Sequence, residues 1–259
     1  MPAGPANGAT DALRALETCA SPPGLLVFAD SDWLCDAAAG RHVPRVAKVE
    51  PGVDDALLFE SDRAAGPVRV AAIVDPRGDR HQPVATLMLL DRLKRDLGTR
   101  VEAISFGCTD EALSRVTEGW QPDVEHRGTL SGDEVATLLR GAHVFLDFSV
   151  CPATARGGLE AMAAGCAPVL PSNGAGPEVA VHDQDALLVD PLDREAAYAE
   201  LFALVVDRAR LARLQDGAAA TARRHSMLRA ALSQVALFEH ERRAARRAGR
   251  FRRTRAPRR

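Results

Sequence analysis

Residues 147–178 read DFSVCPATARGGLEAMAAGCAPVLPSNGAGPE, a run in which glycines, an arginine and a carboxylate stand where a strand hands over to a helix. Gly157 and Gly158 open that helix. Its first backbone N–H groups are therefore uncovered, and the positive end of its dipole faces the preceding loop, which suits a diphosphate. Glu160 follows within the first turn. A carboxylate is a poor phosphate ligand, yet it can grip the two hydroxyls of a ribose; it can equally be a first-turn acid that complements the dipole. Spacing leaves both readings open. Arg77 and Arg80, in IVDPRGDRHQP, and Arg156 carry planar guanidinium forks able to hold a phosphate, against the plainer reading of solvated loop charges. His81, His126 and His143 have no partners at metal-ligand spacing and read as structural histidines. The five cysteines, Cys19, Cys35, Cys108, Cys151 and Cys166, are odd in number and far apart, which fits reduced, buried small residues.

The elements that must position these groups follow from the hydrophobic period. From Val68 onward short β-branched runs alternate with amphipathic stretches, the mark of parallel strands joined by crossover helices. Strands are predicted near 68–74, 100–106, 123–127, 143–147, 167–170 and 186–189, and helices over 84–97, 109–117, 131–140, 158–164 and 193–206. Ser131 stands in capping-box spacing before Glu134, Gly165 can supply a left-handed helix end, and Asp193 can cap the next helix. The fold class is α/β, a doubly wound, Rossmann-like parallel sheet, in which ligands bind outside the carboxyl ends of the strands. After residue 207, Leu211 and Leu214, then Leu228, Leu232, Val235 and Phe238, are spaced for two helices that pack back on this domain. Ahead of it lie only a strand at 24–28, a helix from about Ser31 to Ala39 and a strand at 45–49. The expected division is a poorly ordered stretch over 1–23, an incomplete N-terminal α/β remnant with its linker over 24–66, the sheet domain with its C-terminal helices over 67–240, and an arginine-rich tail over 241–259.

With 259 residues, 46% of them hydrophobic and 26% charged, the chain reads as a soluble globular protein. No stretch approaches the roughly 18 consecutive apolar residues of a membrane helix, and MPAGPANGAT lacks the parts of a signal peptide, so a cytoplasmic location is expected. The net charge of −2 hides an asymmetry: ten arginines fall between Arg242 and Arg259, whereas Lys48 and Lys94 are the only lysines. Such a tail attracts phosphate. With Phe251 as its one aromatic residue, it points away from specific nucleic-acid recognition and toward peripheral contact with an anionic membrane, at its inner face. No Gly-x-Gly-x-x-Gly follows the first strand of the sheet domain, which argues against a nicotinamide cofactor.

The run GGLEAMAAGCAPVLPSNGAGPEVAVHDQDALLVDPLD resembles the donor-binding segment of family 4 glycosyltransferases, the glycosyl transferases group 1 type with a GT-B fold. Leu159 to Ala163, Gly165, Pro168, Val169, Glu178, Leu187 to Val189, Pro191 and Asp193 match that pattern in order. Upstream, RVAAIVDPRGDRHQP is similar to the family's first strand and phosphate loop, SFGC with Gly107 to its second strand exit, and HRGTLSGDEVATLLRGAHVFLDFS with Gly128 to its base-binding loop and following strand. VFADSDWLCDAA and VEPGVDDALLF resemble the end of the N-terminal domain and the interdomain linker, so the resemblance runs from about residue 24 to 240.

The resemblance implies transfer of a sugar, with retention, from a nucleoside-diphosphate sugar to an acceptor hydroxyl, in glycan or cell-envelope polysaccharide synthesis, with no cofactor and no metal. It places Glu160 on the ribose, Gly157, Gly158 and Leu159 at the phosphates, and Gly107 and Gly128 around the nucleotide. Arg80, with Arg77 as its alternative, and Arg156 become the candidate catalytic charges on the departing diphosphate. Two departures stand out. The first of the family's paired acids, which meets the donor sugar, falls on Pro152, and no lysine follows Arg80 in its loop. Since only the last elements of an acceptor domain are present, the resemblance further implies an unknown glycan or lipid-linked acceptor and a partner chain supplying that domain. The alternative is a catalytically inactive nucleotide-sugar-binding module or half of a split transferase.

Overall fold

The structure is a computed structural model that describes residues 25–41, 43–58, 66–150, 152 and 154–254, with side chains to Arg246. The expectations for residues 1–23, for Cys19 and Cys151 and for the far end of the arginine tail lie outside the described residues. A small N-terminal unit consists of β1 (Val27–Ala29), α1 (Asp32–Ala39) and β2 (Val46–Lys48), its two strands paired in parallel. Ser31 caps α1 by accepting from the Leu34 N–H at 3.1 Å, so the helix begins where the sequence places it.

The main domain runs through β3 (Val68–Ile73), α2 (Pro83–Leu97), β4 (Val101–Phe106), α3 (Asp110–Thr117), β5 (Glu125–His126), α4 (Gly132–Gly141) and β6 (Val144–Leu146). It continues through α5 (Arg156–Ala163), β7 (Ala167–Pro171), α6 (Gly176–Val179), β8 (Leu187–Val189), α7 (Arg194–Val206) and α8 (Arg208–Arg224). Ser131 and Glu134 form the expected capping box, Gly165 takes a left-handed φ of 81°, and Asp193 caps α7.

All pairings in the six-stranded sheet are parallel, in the order β5-β4-β3-β6-β7-β8. The chain steps outward from β3 to β5, then returns to the other side of β3 and steps outward again. That reversal leaves a crevice between the carboxyl ends of β3 and β6, the place where a doubly wound sheet accepts a ligand.

Alternation along the strands supplies a core on each face. Val70, Val144 and Val169 meet Leu89, Leu90 and Leu93 of α2 and Leu201 and Leu204 of α7. On the other face Ala71, Phe145 and Leu170 meet Leu139 of α4, Leu159 and Met162 of α5 and Ala218 of α8. Each fully buried leucine contributes roughly 1.5–3 kcal/mol.

One packing expectation is corrected. Leu211 and Leu214 are buried in the core as their spacing suggests, but the second helix, α9 (Met227–Thr254), does not return to the sheet domain. Leu228, Leu232, Val235 and Phe238 are 66%, 58%, 54% and 55% exposed. The helix meets the N-terminal unit instead. Ala230 packs on Gly52, the Ser233 hydroxyl accepts from the Glu50 N–H at 3.0 Å, and Glu241 pairs with Arg45. Phe238 touches the edge of Phe28 at 5.2 Å between ring centres. The sequence period identified a helix correctly, but period alone does not say which surface the helix meets.

Candidate functional site

The loops after β3 and β6 meet over the crevice. Val150 donates its N–H to the Arg80 carbonyl at 2.7 Å, and the Arg80 guanidinium donates back to the Val150 carbonyl at 3.1 Å. Arg80 is thereby held at the switch point. Arg77, the alternative, lies 84% exposed in a fork with Asp75, at 2.9 and 2.6 Å. Burial pushes the Asp75 carboxyl up, but the Arg77 guanidinium and N–H together hold it below the usual carboxylate range. That arrangement commits Arg77 to Asp75 and leaves Arg80 as the arginine built into the crevice.

Helix α5 opens toward the same crevice with Ala155 at its cap position and no side-chain hydrogen bond there. Its first amides point outward without a side-chain acceptor, the arrangement that receives a phosphate. Gly157 faces the Phe145 ring, and a Cβ on Gly158 would lie 2.8 Å from Leu170, so Gly158 lets the helix approach the sheet closely. Leu159 is a correction: its side chain is buried and its N–H donates to the Ala155 carbonyl at 3.0 Å. It supports the helix from beneath and offers the phosphates nothing.

Because α5 begins at Arg156, two residues before the expected start, Glu160 is its fifth residue and not a first-turn acid. The helix dipole acts mainly on the terminal turn, so dipole complementation no longer accounts for Glu160. Its side chain is 27% exposed and pairs with Arg156, one turn earlier, at 2.8 Å. Arg156, at 79% exposure, is therefore tethered by Glu160 and is not a charge waiting in the crevice.

At the neighbouring strand ends, Gly107 and Gly128 come together. Gly107 has φ of 114° and Gly128 of 69°, and the Gly107 N–H donates to the Gly128 carbonyl at 2.9 Å. A Cβ on Gly107 would stand 3.0 Å from the Val74 carbonyl oxygen, so this glycine lets the exits of β3, β4 and β5 converge. His126 props the same corner: Nδ1 lies 2.9 Å from the Ser105 hydroxyl and Nε2 3.0 Å from the Cys108 carbonyl. It is a structural histidine, as expected.

Pro152 bears on this geometry too. Its carbonyl accepts from the Ala175 N–H at 3.0 Å, and Gly174, at φ of 68°, lies so close that a Cβ there would meet Pro152 at 2.5 Å. The residue thus ties the β6 loop to the turn after β7. It presents no side-chain acceptor.

Sequence reasoning missed a cluster where the N-terminal unit meets this crevice. Glu178 of α6 accepts the Asp32 and Trp33 N–H groups at 2.7 and 2.9 Å, and Lys48 bridges Glu178 and Asp32 at 2.9 and 2.6 Å. Burial pushes Glu178 up, but the two backbone donors and Lys48 hold it below the usual range. The motif match located Glu178, yet its partners lie 146 and 130 positions away and gave no local signal. No group of acids, histidines and cysteines that could hold a metal occurs among the described residues.

Residues 82–207 match the family described as Glycosyl transferases group 1. No curated protein shows a significant sequence match. Among solved structures, HepE of Anabaena in complex with UDP-glucose is similar over 90% of this chain and 68% of its own, at 16% identity and a TM-score of 0.73. Sucrose-phosphate synthase from Thermosynechococcus elongatus is similar over 91% of this chain and 62% of its own, at 16% identity and 0.72. The C-terminal domain of the glycosyl transferase group 1 family protein LpcC from Francisella tularensis is covered over 96% of its length by 66% of this chain, at 18% identity and 0.55. The sheet domain therefore has the fold of a GT-B C-terminal domain, and residues 82–207 within it match the glycosyl transferases group 1 family.

Proposed function

We propose that the chain binds a nucleoside-diphosphate sugar at the crevice between β3 and β6 and, with an acceptor domain completing the cleft, transfers the sugar to an acceptor hydroxyl with retention. The observation that carries this reading is the open start of α5 beside the tethered Arg80 on the loops after β3 and β6, with the paired Gly107 and Gly128 at the adjoining strand ends. In the reaction the bond from the anomeric carbon to the diphosphate breaks and its electron pair leaves on the phosphate oxygen. The acceptor oxygen then bonds the same face of that carbon, and its proton passes to the departing diphosphate. The protein supplies a fixed positive field for the developing charge, from the α5 amides and Arg80. Glu160 takes the ribose hydroxyls with the oxygen not held by Arg156.

Relatives that this chain covers over 62–68% of their length contain further structure. A single wall neither orients an acceptor nor excludes water, so turnover calls for a partner supplying the other wall. Titration calorimetry with UDP, GDP and ADP and their glucose conjugates tests the reading. Binding of one nucleotide series is expected, and heat from none of them contradicts it.

Pro152 favours a second reading, a binding module without turnover, because the residue is committed to the Gly174 turn and offers the donor sugar no side-chain acceptor. Sugar-nucleotide binding without transfer, in the presence of the partner domain, distinguishes it. No helix among the described residues is long and apolar enough to cross a membrane. The exposed face of α9 and the arginines that follow it support peripheral attachment to an anionic membrane surface, on the inner face, where a lipid-linked acceptor would be met.

A further inference from the structure

The N-terminal unit and the sheet domain meet around Asp30, at the exit of β1. Its Oδ1 is buried and has no hydrogen-bond partner, and among the described residues it is the sole side-chain oxygen or nitrogen in that condition. The groups around it are already engaged. Glu178 holds the start of α1 and Lys48, Lys48 also holds Asp32, and Arg156 holds Glu160. A buried carboxylate oxygen without a donor costs stability, and in a native structure such a group calls for a reason, a functional role among them. Asp30 lies close enough to Arg156, the first residue of α5, to feel its charge. Pro152, on the loop that leads into α5, has no side-chain acceptor to offer a sugar.

We infer that Asp30 is the acceptor for a hydroxyl of the donor sugar, a specificity residue contributed by the N-terminal unit to the site on the sheet domain. This rests on the nucleotide-sugar reading above and adds to it the group that recognises the sugar as distinct from the nucleotide. Burial, reinforced by Glu178, raises the Asp30 carboxyl above its usual value, against the opposing pull of its own backbone, Arg156 and Lys48. That direction fits a carboxylate whose folded surroundings leave it short of donors.

The test compares the full chain with Asp30→Ala and Asp30→Asn by calorimetric titration against a nucleoside diphosphate and its glucose conjugate, with UDP and UDP-glucose as first probes and the GDP and ADP pairs after them. Asp30→Ala is expected to leave nucleotide affinity within about twofold while weakening the sugar nucleotide about tenfold; Asp30→Asn, which keeps an oxygen acceptor, loses about threefold. The thermal midpoint of ligand-free Asp30→Asn is expected to rise, because burial disfavours the Asp30 charge more than its neighbours favour it. Equal effects on nucleotide and sugar nucleotide, no effect on either, or a lowered midpoint would overturn the assignment. If the unsubstituted chain binds no nucleotide at all, the donor-site reading fails and this inference with it; if it binds nucleotide and sugar nucleotide but Asp30→Ala does not separate them, only the inference fails.

Discussion

Arg80 and Arg77 stand three residues apart in one loop, and their surroundings divide their roles. The two mutual hydrogen bonds with Val150 fix Arg80 at the switch point, whereas Arg77 is spent on Asp75. Arg80→Ala is expected to weaken nucleoside-diphosphate binding about tenfold, close to 1.4 kcal/mol, and Arg77→Ala by less than about twofold; calorimetry on the two variants checks the pair. Arg156, named from sequence as a second charge, is paired at one helical turn with Glu160, a contact that the spacing 156 to 160 could have announced. Glu160 shows the reverse case. Two readings were open while the start of α5 was uncertain by two residues; the observed boundary puts Glu160 beyond the first turn and removes dipole complementation as its role.

Among the elements, strands β3 to β8 and their crossover helices fall close to the predicted segments, because alternating and helical periods with capping residues are local signals. What was not legible depends on distant partners: the surface that α9 meets, and the clamp of Glu178 on α1. Glu178→Ala removes the acceptor of two backbone N–H groups and the partner of Lys48, and is expected to cost about 1–2 kcal/mol and to speed hydrogen exchange in α1. The pH dependence has a definite sign. Since the folded-state value of Glu178 is lowered, its contribution is fully present above its ordinary value of 4.5 and is lost as pH falls through the lower folded value. Lower protection of the α1 amides on acidification, relative to their intrinsic exchange rates, is the expected result, with no such change in Glu178→Ala. The α2–α7 contact offers a second probe. Tyr198, the single tyrosine, donates to Asp96, and Arg92 stacks over its ring at 3.9 Å; burial first, then Asp96, pushes the phenol up to about 12. An ultraviolet titration is expected to show that midpoint in the folded chain and one near 10.0 when unfolded, with the stabilisation from this contact complete below 10.0 and lost as pH rises toward 12.

At the scale of the whole molecule, α9 joins two chemistries along one rod of roughly 42 Å. Its exposed Leu228, Leu232 and Val235 are followed by Arg242, Arg243 and Arg246, exposed in turn. Sedimentation with anionic vesicles is expected at low salt, to fall at high salt, and to be lost on removing residues 242–259; equal sedimentation of both forms would dismiss membrane attachment. The account as a whole depends on a nucleoside diphosphate seated between β3 and β6 with its ribose on Glu160. The most direct measurement is a calorimetric cycle pairing the full chain and Glu160→Ala with the best-bound nucleoside diphosphate and its 2′,3′-dideoxy analogue. The full chain is expected to prefer the ribose form by about tenfold and Glu160→Ala to bind both forms alike. Equal affinity of the full chain for the two forms, or a preference that survives in Glu160→Ala, would contradict it.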